Sequence, residues 1–286
     1  MILTPNWTEY ELLDSGDKMK LERWGLYLLA RPEPQALWPK QRPDLWEKAD
    51  ATFTRAPGGT GGWKKKTDLP DEWAVSYKKL TFKVKPASFK HTGIFPEQAS
   101  NWDWIDEQIE KAGKSTGPIR VLNLFGYTGG ASLAAAKAGA KVVHVDASKG
   151  TNEWAKENAL GSGISEDSIR FLEDDALKFV AREARRNNSY EGIIMDPPSY
   201  GRGAKGELWK LEDHFWELVS SAARILSEKP LFFLVNSYTT GVSATVIENM
   251  LSSIFEKKGT ISVRELGLAP KDGFVVPAGV AGRWHS

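Results

Sequence analysis

Positions 196–200 carry residue types that suit a functional site, because the sequence Asp-Pro-Pro-Ser-Tyr directly follows the apolar residues 193–195. Proline fixes its own φ and has no backbone N–H, and it holds the residue before it extended. Asp196 and the carbonyl groups after it are therefore stiff hydrogen-bond acceptors at the end of an apolar run. A site that must hold a ligand in one orientation needs such acceptors, although a plain strand end has the same pattern.

Residues 123–130 read Asn-Leu-Phe-Gly-Tyr-Thr-Gly-Gly and predict a glycine-rich loop after a strand. Glycine lets the backbone come close to a ligand. The loop lacks the Gly-x-Gly-x-x-Gly spacing that seats a pyrophosphate at a helix N-terminus. The pattern therefore predicts either a loop for a ligand other than a dinucleotide or a tight turn from strand to helix.

Two carboxylates follow the next two apolar runs. Asp146 lies 20 residues after Gly126, a distance at which an acidic residue can accept both hydroxyls of an adenosine ribose. Asp175 can accept the amino group of an adenine, and either it or Asp174 can instead cap a helix. Together with the glycine-rich loop, these residues describe a nucleoside pocket without a pyrophosphate cradle, which fits S-adenosylmethionine better than NAD.

The residues around these loops predict an α/β fold. Five apolar runs, VLNLFG, KVVHVDAS, IRFLED, GIIMD and PLFFLVNS, are each followed by a helical pattern, the fourth by a helix around 208–226. This alternation predicts a parallel sheet with helices on both faces, and ligands of such sheets bind outside the carboxyl ends of the strands. Trp209 and Trp216 have helical spacing and are expected in the core.

The ordered motifs from VLNLFGYTGG to GIIMDPPSY resemble class I S-adenosylmethionine-dependent methyltransferases. More narrowly, they resemble bacterial 23S ribosomal RNA large-subunit methyltransferases with the signature Asp-Pro-Pro-x-Phe/Tyr. The segment 91–98, His-Thr-Gly-Ile-Phe-Pro-Glu-Gln, is similar to a Lys/Arg-Thr-Gly-x-Phe-x-Asp-Gln segment of that family. The resemblance covers about residues 88–240. It implies a Rossmann-like fold with a seven-stranded, mostly parallel sheet and an N-terminal accessory domain that often binds RNA.

The resemblance also implies roles for individual residues. Asp196, Pro197 and Pro198 would form the floor of the acceptor pocket and hold the N–H groups of an amine, and Tyr200 would stack on a flipped base. The segment 91–98 would pack over the cofactor. S-adenosylmethionine would be bound by Thr92, Phe95, Gln98, Asn123, Phe125, Gly126, Tyr127, Thr128, Gly129, Asp146, Ala147, Ser148, Asp175 and Ala176.

Composition narrows the chemistry. The 286 residues carry a net charge of +1 and are 41% hydrophobic, which is typical of a globular protein and does not indicate a globally basic nucleic-acid binder. The absence of cysteine excludes thiol nucleophiles and thiolate metal sites. Methylation at carbon-5 of a pyrimidine usually needs a Cys thiolate, so we expect a nitrogen acceptor or, second, a hydroxyl.

The remaining sequence features concern metals and location. The four histidines have no metal-ligand spacing, so we expect no metal site. The N-terminus does not have the pattern of a signal peptide, and the apolar runs are too short to span a bilayer. A cytoplasmic protein is therefore expected. The sequence leaves the oligomeric state open, and a homodimer is one of the alternatives.

Two groups of basic residues are candidates for RNA contact. Lys64, Lys65 and Lys66 end the segment GGTGGWKKK, which predicts a flexible loop with an aromatic residue and a lysine cluster. Arg202 and Lys205 directly follow the Asp-Pro-Pro motif and could bind a phosphate beside the acceptor. A solvated loop would have the same composition.

We interpret residues 1–90 as a small β-rich domain, with tryptophan mainly in its core, and residues 91–286 as the methyltransferase domain. The function expected is methyl transfer from S-adenosylmethionine to a base nitrogen of ribosomal RNA, with 23S rRNA as the partner. The alternatives are a methyltransferase for a small molecule or a protein side-chain amide, and a non-catalytic RNA-binding relative. A nucleotide-dependent oxidoreductase is disfavoured because the Gly-x-Gly-x-x-Gly motif is absent.

Overall fold

The computed structural model describes residues 1–55, 61–87, 90–113, 117–202, 208–239, 241–256 and 258–286, without the side chains of Arg55 and Arg202. These residues form two compact units. The N-terminal unit contains residues 2–99 and 266–278, and the α/β unit contains Met1, residues 100–265 and residues 279–286. No helix in these ranges is long and apolar enough to cross a lipid bilayer.

The N-terminal unit is rich in β-structure. One sheet has the strand order β2-β3-β4-β5-β6, a separate hairpin joins β7 and β8, and β1 pairs in parallel with residues 266–267. The elements are β1 (Ile2–Leu3), β2 (Tyr10–Gly16), β3 (Met19–Trp24), β4 (Tyr27–Pro32), α1 (Pro43–Trp46), β5 (Ala51–Arg55), β6 (Gly61–Lys65), β7 (Trp73–Tyr77), β8 (Leu80–Val84) and a 3-10 turn (Pro96–Gln98).

Aromatic side chains and one buried ion pair hold this unit together. Trp7 and Trp24 are buried, and the ring of Trp24 lies 4.7 Å from that of Tyr10, so these two tryptophans are core residues, as the sequence predicts. Arg31 donates two hydrogen bonds to Glu22, at 2.6 and 2.8 Å. Burial alone would raise the pKa of Glu22, but the Arg31 guanidinium lowers it to about 2. Lys20 Nζ lies 3.6 Å from Glu22 Oε1 and also favours the charged carboxylate. Removing Glu22 would leave the buried Arg31 without its carboxylate partner.

The segment 91–98 belongs to the N-terminal unit, which ends at Ala99, whereas the sequence predicts a boundary between residues 90 and 91. Local hydrogen bonds explain the difference. Arg31 Nη1 donates to the carbonyl of Lys90 at 3.0 Å, and Lys85 N donates to the carbonyl of Thr92 at 3.2 Å. The first bond joins β4 to the residue directly before the segment, and the second joins the residue directly after β8 to the segment itself.

The α/β unit has the sheet that the alternating pattern predicts. Its strand order is β16-β17-β15-β12-β9-β10-β11. The strands from β15 to β11 are parallel, and β17 is antiparallel to β15. The elements are α2 (Ala99–Ala112), β9 (Arg120–Leu124), α3 (Gly130–Lys137), β10 (Lys141–Asp146), α4 (Lys149–Gly161), β11 (Ile169–Glu173), α5 (Ala176–Arg185), β12 (Gly192–Met195), β13 (Tyr200–Arg202), β14 (Leu208–Lys210), α6 (Leu211–Ala223), β15 (Phe232–Ser237), α7 (Ala244–Phe255), β16 (Thr260–Leu268) and β17 (Val276–His285).

One large apolar core supports this sheet. Side chains from β9, β12 and β15, such as Leu122, Ile193 and Phe233, pack with the buried faces of α5, α6 and α7. Because both faces of a parallel sheet are covered, its strands read as continuous apolar runs, which is why the sequence reveals them. The strand order reverses between β9 and β12, and this switch point is where open α/β sheets bind ligands.

The predicted helix at 208–226 begins later than its pattern indicates. Residues 208–210 form β14, which pairs with β13 in a two-stranded hairpin, and α6 starts at Leu211. Trp209 therefore lies on a strand, and its predicted helical spacing from Trp216 is wrong. Trp216 is 52% exposed, so its predicted place in the core is also wrong. The buried face of α6 is formed instead by Leu211, Phe215, Leu218, Val219 and Ala222.

Candidate functional site

The loops predicted to bind a ligand in the α/β unit lie at one edge of its sheet. In the register of the strands, Met195 lies opposite Leu124, and Leu124 lies opposite Val145. The residues that follow these strands therefore emerge side by side. Backbone hydrogen bonds join them, since Asp196 N donates to the carbonyl of Leu124 at 3.4 Å and Asp174 N donates to that of Asp146 at 3.2 Å.

The glycine-rich loop has an unusual backbone. Phe125 and Tyr127 have positive φ values of 56° and 50°, and Gly129, the N-cap of α3, has a φ of 94°. Residues other than glycine adopt this conformation only at a cost of about 1–3 kcal/mol, and such residues cluster at ligand sites. The loop is closed by Gly129 N, which donates to the carbonyl of Gly126 at 3.0 Å.

Asp146 fastens the glycine-rich loop to the end of β10. Its Oδ2 accepts from Tyr127 N at 2.9 Å, and its Oδ1 accepts from Ser148 N at 2.9 Å and from Thr151 Oγ1 at 3.3 Å. Burial raises the pKa of Asp146, and the three hydrogen bonds partly offset that rise. The predicted ribose acid therefore also shapes the loop beside it.

A chain of buried polar side chains, Asn123, Ser132 and His144, lies under the loop, and of these the sequence assigned only Asn123 to the site. Asn123 Nδ2 donates to Ser132 Oγ at 2.8 Å, and Ser132 Oγ lies 2.9 Å from His144 Nδ1. Burial lowers the pKa of His144 to about 4, so this ring is neutral at pH 7. A Cβ atom at Gly126 would lie 2.5 Å from Nδ1 and 2.8 Å from Nε2 of His144. Gly126 is therefore required by close approach to the ring rather than by its φ.

Asp175 caps helix α5. Its Oδ1 accepts from Lys178 N at 2.9 Å, which is the N-cap alternative that the sequence left open. Asp174, one residue earlier, forms an ion pair with Arg182. The role of Asp175 at an adenine stays a prediction, as does that of Ala176, which begins the helix.

The Asp-Pro-Pro motif lies at the carboxyl end of β12 and is held from two sides. The carbonyl of Pro198 accepts from Trp209 Nε1 at 2.6 Å. The carbonyl of Ser199 accepts from Leu211 N at 3.1 Å, and its Oγ accepts from Thr239 Oγ1 at 2.6 Å. The loop that the prolines make rigid is therefore also tied to β14, to α6 and to the loop after β15.

Tyr200 begins β13 and lies opposite Lys210 on β14, with 57% of its surface exposed. Its stacking on a base stays a prediction. Arg202 is the last residue of β13, and its side chain and Lys205 lie outside the described residues.

The segment 91–98 belongs to the N-terminal unit. Thr92 is fully buried, and its Oγ1 has no hydrogen-bond partner among the residues that the structure describes. The rings of His91 and Phe95 lie 5.3 Å apart, and burial lowers the pKa of His91 to about 4. A neutral, half-buried His91 differs from the Lys or Arg of the segment that residues 91–98 resemble. The cofactor contacts predicted for Thr92, Phe95 and Gln98 stay predictions.

The lysines predicted to bind RNA lie at the end of a strand rather than in a flexible loop. Lys64 and Lys65 are the last residues of β6. Lys65 Nζ lies 3.1 Å from Asp71 Oδ1 and donates to the carbonyl of Leu69 at 3.0 Å, and Lys66 Nζ donates to the carbonyl of Glu47. All three lysines are nevertheless exposed at the surface.

Comparison with known proteins identifies the family. The model of the S-adenosylmethionine-dependent methyltransferases matches residues 54–222. The crystal structure of a SAM-dependent methyltransferase from Agrobacterium tumefaciens is 39% identical, with a TM-score of 0.93, and the match covers 99% of this chain and 92% of that one.

Two curated relatives are ribosomal RNA large subunit methyltransferases. The K/L protein of Shewanella baltica is 30% identical over 173 residues, 59% of this chain and 23% of that protein. The K protein of Neisseria meningitidis is 22% identical over 256 residues, 85% of this chain and 68% of that protein. The chain thus spans less than a quarter of the Shewanella relative. With the glycine-rich loop, the strand-end carboxylates and the sheet order in place, the chain belongs to the S-adenosylmethionine-dependent methyltransferases.

Proposed function

We propose that this protein transfers a methyl group from S-adenosylmethionine to a base nitrogen of ribosomal RNA, with 23S rRNA as the substrate, which would place it in the cytoplasm. The observation that carries the proposal is the adjacency of two loops. The Asp-Pro-Pro motif follows β12 and the glycine-rich loop follows β9, and a hydrogen bond from Asp196 N to the carbonyl of Leu124 joins their bases. A methyl donor on one loop and an acceptor on the other would therefore meet.

The residues at this edge fit the cofactor. Gly126 and Gly129 have no room for a Cβ because His144 and Leu133 occupy that space, so the loop backbone lies directly on the protein beneath it. Asp146 offers a carboxylate beside Tyr127 and Ser148, suited to ribose hydroxyls. We propose that the adenosyl part is held by Asn123, Phe125, Gly126, Tyr127, Thr128, Gly129, Asp146, Ala147, Ser148, Asp175 and Ala176. The cofactor contacts of Thr92, Phe95 and Gln98 are proposed from the sequence alone.

The chemistry asks little of the protein beyond positioning. When bound, the cofactor supplies a methyl group on a positively charged sulfur, open to attack by a lone pair. The Asp196 side chain and the Pro197 carbonyl would accept the N–H groups of the acceptor amine and aim its lone pair at that methyl group. Good positioning of this kind can supply roughly 7–11 kcal/mol of the barrier. The new nitrogen–carbon bond would form as the carbon–sulfur bond breaks, which would leave a neutral thioether, and the methylated nitrogen would release one proton to solvent. No cysteine is needed for this step.

Support for an RNA substrate comes from the names of the relatives in Shewanella and Neisseria. We propose that the N-terminal unit helps to bind RNA through Lys64, Lys65 and Lys66, and that Arg202 and Lys205 contact phosphate beside the acceptor. The near-neutral net charge of +1 favours the alternative of a small molecule or a protein side-chain amide. A non-catalytic RNA-binding relative would not need Asp196 or the cofactor loops.

The proposal is tested by methyl transfer from labelled S-adenosylmethionine to total RNA, followed by mass analysis of the nucleosides. We expect a methylated base nitrogen, lost in Asp196→Ala while calorimetry shows cofactor affinity within twofold of the wild type. Asp167→Ala is the matched control, because Asp167 is an exposed carboxylate just before the amino end of β11, away from the carboxyl edge. Label in a protein extract but not in RNA would replace the RNA proposal by the amide alternative.

A further inference from the structure

Trp209 joins the two loops of the candidate site. Its indole donates to the carbonyl of Pro198 at 2.6 Å, and its ring lies 5.3 Å from that of Phe125, at an angle of 50°. Pro198 belongs to the acceptor loop and Phe125 to the glycine-rich loop. His214 on α6 stacks on the indole at 5.4 Å and 25°, which fixes the ring from another side.

The pairing of β13 with β14 places Trp209 and Tyr200 on opposite faces of the hairpin. Trp209 lies opposite Gly201, and Tyr200 lies opposite Lys210. Residues opposite each other in an antiparallel pair share a face, and successive residues alternate. A Cβ at Gly201 would lie 3.7 Å from Cγ of Pro198 and 4.0 Å from Cβ of Trp209, so the Trp209 face is turned to the acceptor loop.

These contacts close a ring of interactions. Trp209 contacts Pro198 and Phe125, and the chain runs from Pro198 back to Asp196, whose N–H donates to the carbonyl of Leu124 next to Phe125. A closed ring cannot change the separation of the two loops at one point without breaking a contact at another.

We propose that Trp209 is a positioning residue of the methyltransferase reaction, which sets the distance and angle of the Asp-Pro-Pro loop relative to the glycine-rich loop. The expected effect of Trp209 on kcat rests on the proposed function. Its role in fixing the Asp-Pro-Pro loop against the glycine-rich loop rests on the geometry alone. Tyr200, on the other face of the hairpin, takes no part in these contacts of Trp209 with Pro198 and Phe125, which together we call the Trp209 lock.

The test is Trp209→Phe, which keeps an aromatic ring and removes the indole N–H. Trp216→Phe is the matched control, because Trp216 lies on α6 and is 52% exposed. Hydrogen exchange of the peptide covering residues 199–202 reports on the loop without any activity. We expect this peptide to exchange at least fivefold faster in Trp209→Phe than in the wild type, and at the wild-type rate in Trp216→Phe. The melting temperatures of both variants should stay within a few degrees of the wild type.

Steady-state kinetics then test the consequence. We expect kcat to fall by about tenfold or more in Trp209→Phe with cofactor affinity within twofold of the wild type, since a misplacement of roughly 1 Å can cost about 10²-fold. Unchanged exchange, or faster exchange with kcat within twofold of the wild type, would overturn the inference. A wild-type protein that labels no RNA would overturn the proposed function instead, and the exchange result would still decide the lock.

Discussion

Replacing Gly126 by alanine tests whether the glycine-rich loop is shaped by the histidine under it. The added Cβ would lie 2.5 Å from Nδ1 and 2.8 Å from Nε2 of His144, where ordinary van der Waals contact needs about 3.4 Å or more. His144 is fully buried and its Nδ1 lies 2.9 Å from Ser132 Oγ, so the ring has no room to retreat. Because the φ of Gly126 is not in the left-handed region, the penalty is steric alone. Overpacking of this kind typically costs about 1–3 kcal/mol.

The penalty should divide between stability and ligand binding, and two measurements separate them. Denaturant unfolding gives the change in the free energy of unfolding, and calorimetry with S-adenosylmethionine gives the change in affinity. We expect a loss of about 1–3 kcal/mol in total, most of it as weaker binding if the loop moves and most as lower stability if the core moves. Gly150→Ala is the matched control, because Gly150 lies in α4 with open space at the Cβ position, and alanine there is expected to add about 0.5–1 kcal/mol of stability.

A double-mutant cycle identifies the cause. In a His144→Ala background the ring is gone, so Gly126→Ala should cost much less than it does alone, and the two changes should couple by at least about 0.5 kcal/mol. Gly126→Ala with wild-type stability and affinity would refute the steric argument. An undiminished cost in the His144→Ala background would refute the role of the ring.

Three further predictions concern charged or titrating groups. The pKa of His144 is lowered by burial to about 4 from an ordinary value of 6.5, so the unfolded chain binds more protons between these values and stability should fall as the pH drops from about 6.5 to 4. His144→Gln should flatten this slope of unfolding free energy against pH, and an equal slope in both proteins would contradict it. Asp146→Asn should weaken S-adenosylmethionine binding by about 1.5–3 kcal/mol in calorimetry, because hydrogen bonds to a charged group are lost; unchanged affinity would remove Asp146 from the site. Neutralising Lys64, Lys65 and Lys66 together should lower RNA affinity and reduce its dependence on salt, measured by titration at several ionic strengths; an unaltered salt slope would leave these lysines as an ordinary solvated surface.

The sequence predicts the sheet and its loops because parallel strands that are buried on both faces appear as continuous apolar runs. The apolar runs at Arg120–Leu124 and Gly192–Met195 are strands in the structure. Both runs are followed by the residues predicted to form the site, and parallel strands deliver such residues to one edge whatever the loops contain. The α/β fold and the family could therefore be predicted from local patterns, and the strand order and the match to the family model confirm them. S-adenosylmethionine is the cofactor that defines that family.

The start of helix α6, two residues after Trp209, could not be predicted from the sequence, because periodicity shows only which residues share an apolar face. Residues 208–210 are too few to show the alternation of a strand, and an apolar run of this length fits either element. Trp209 is held on β14 by pairing with Gly201 on β13, a contact that no spacing along the chain indicates. The same limit applies to His144, whose place under Gly126 follows from two adjacent strands and not from any spacing along the chain.

The contacts that sequence reasoning missed have a common consequence for the site. Asp146 holds the backbone of Tyr127, His144 fills the space under Gly126, and Trp209 joins Phe125 to the Asp-Pro-Pro loop. Three successive residues of the glycine-rich loop are therefore fixed, two of them by β10 and one by β14. A loop fixed at every residue cannot relax around a small change, because moving one residue strains the contact of the next. Substitutions at Asp146 and Trp209 should therefore have non-additive effects on kcat in a double-mutant cycle, although the two side chains contact different residues of the glycine-rich loop. Strictly additive effects on kcat would show that Phe125 and Tyr127 are fixed independently.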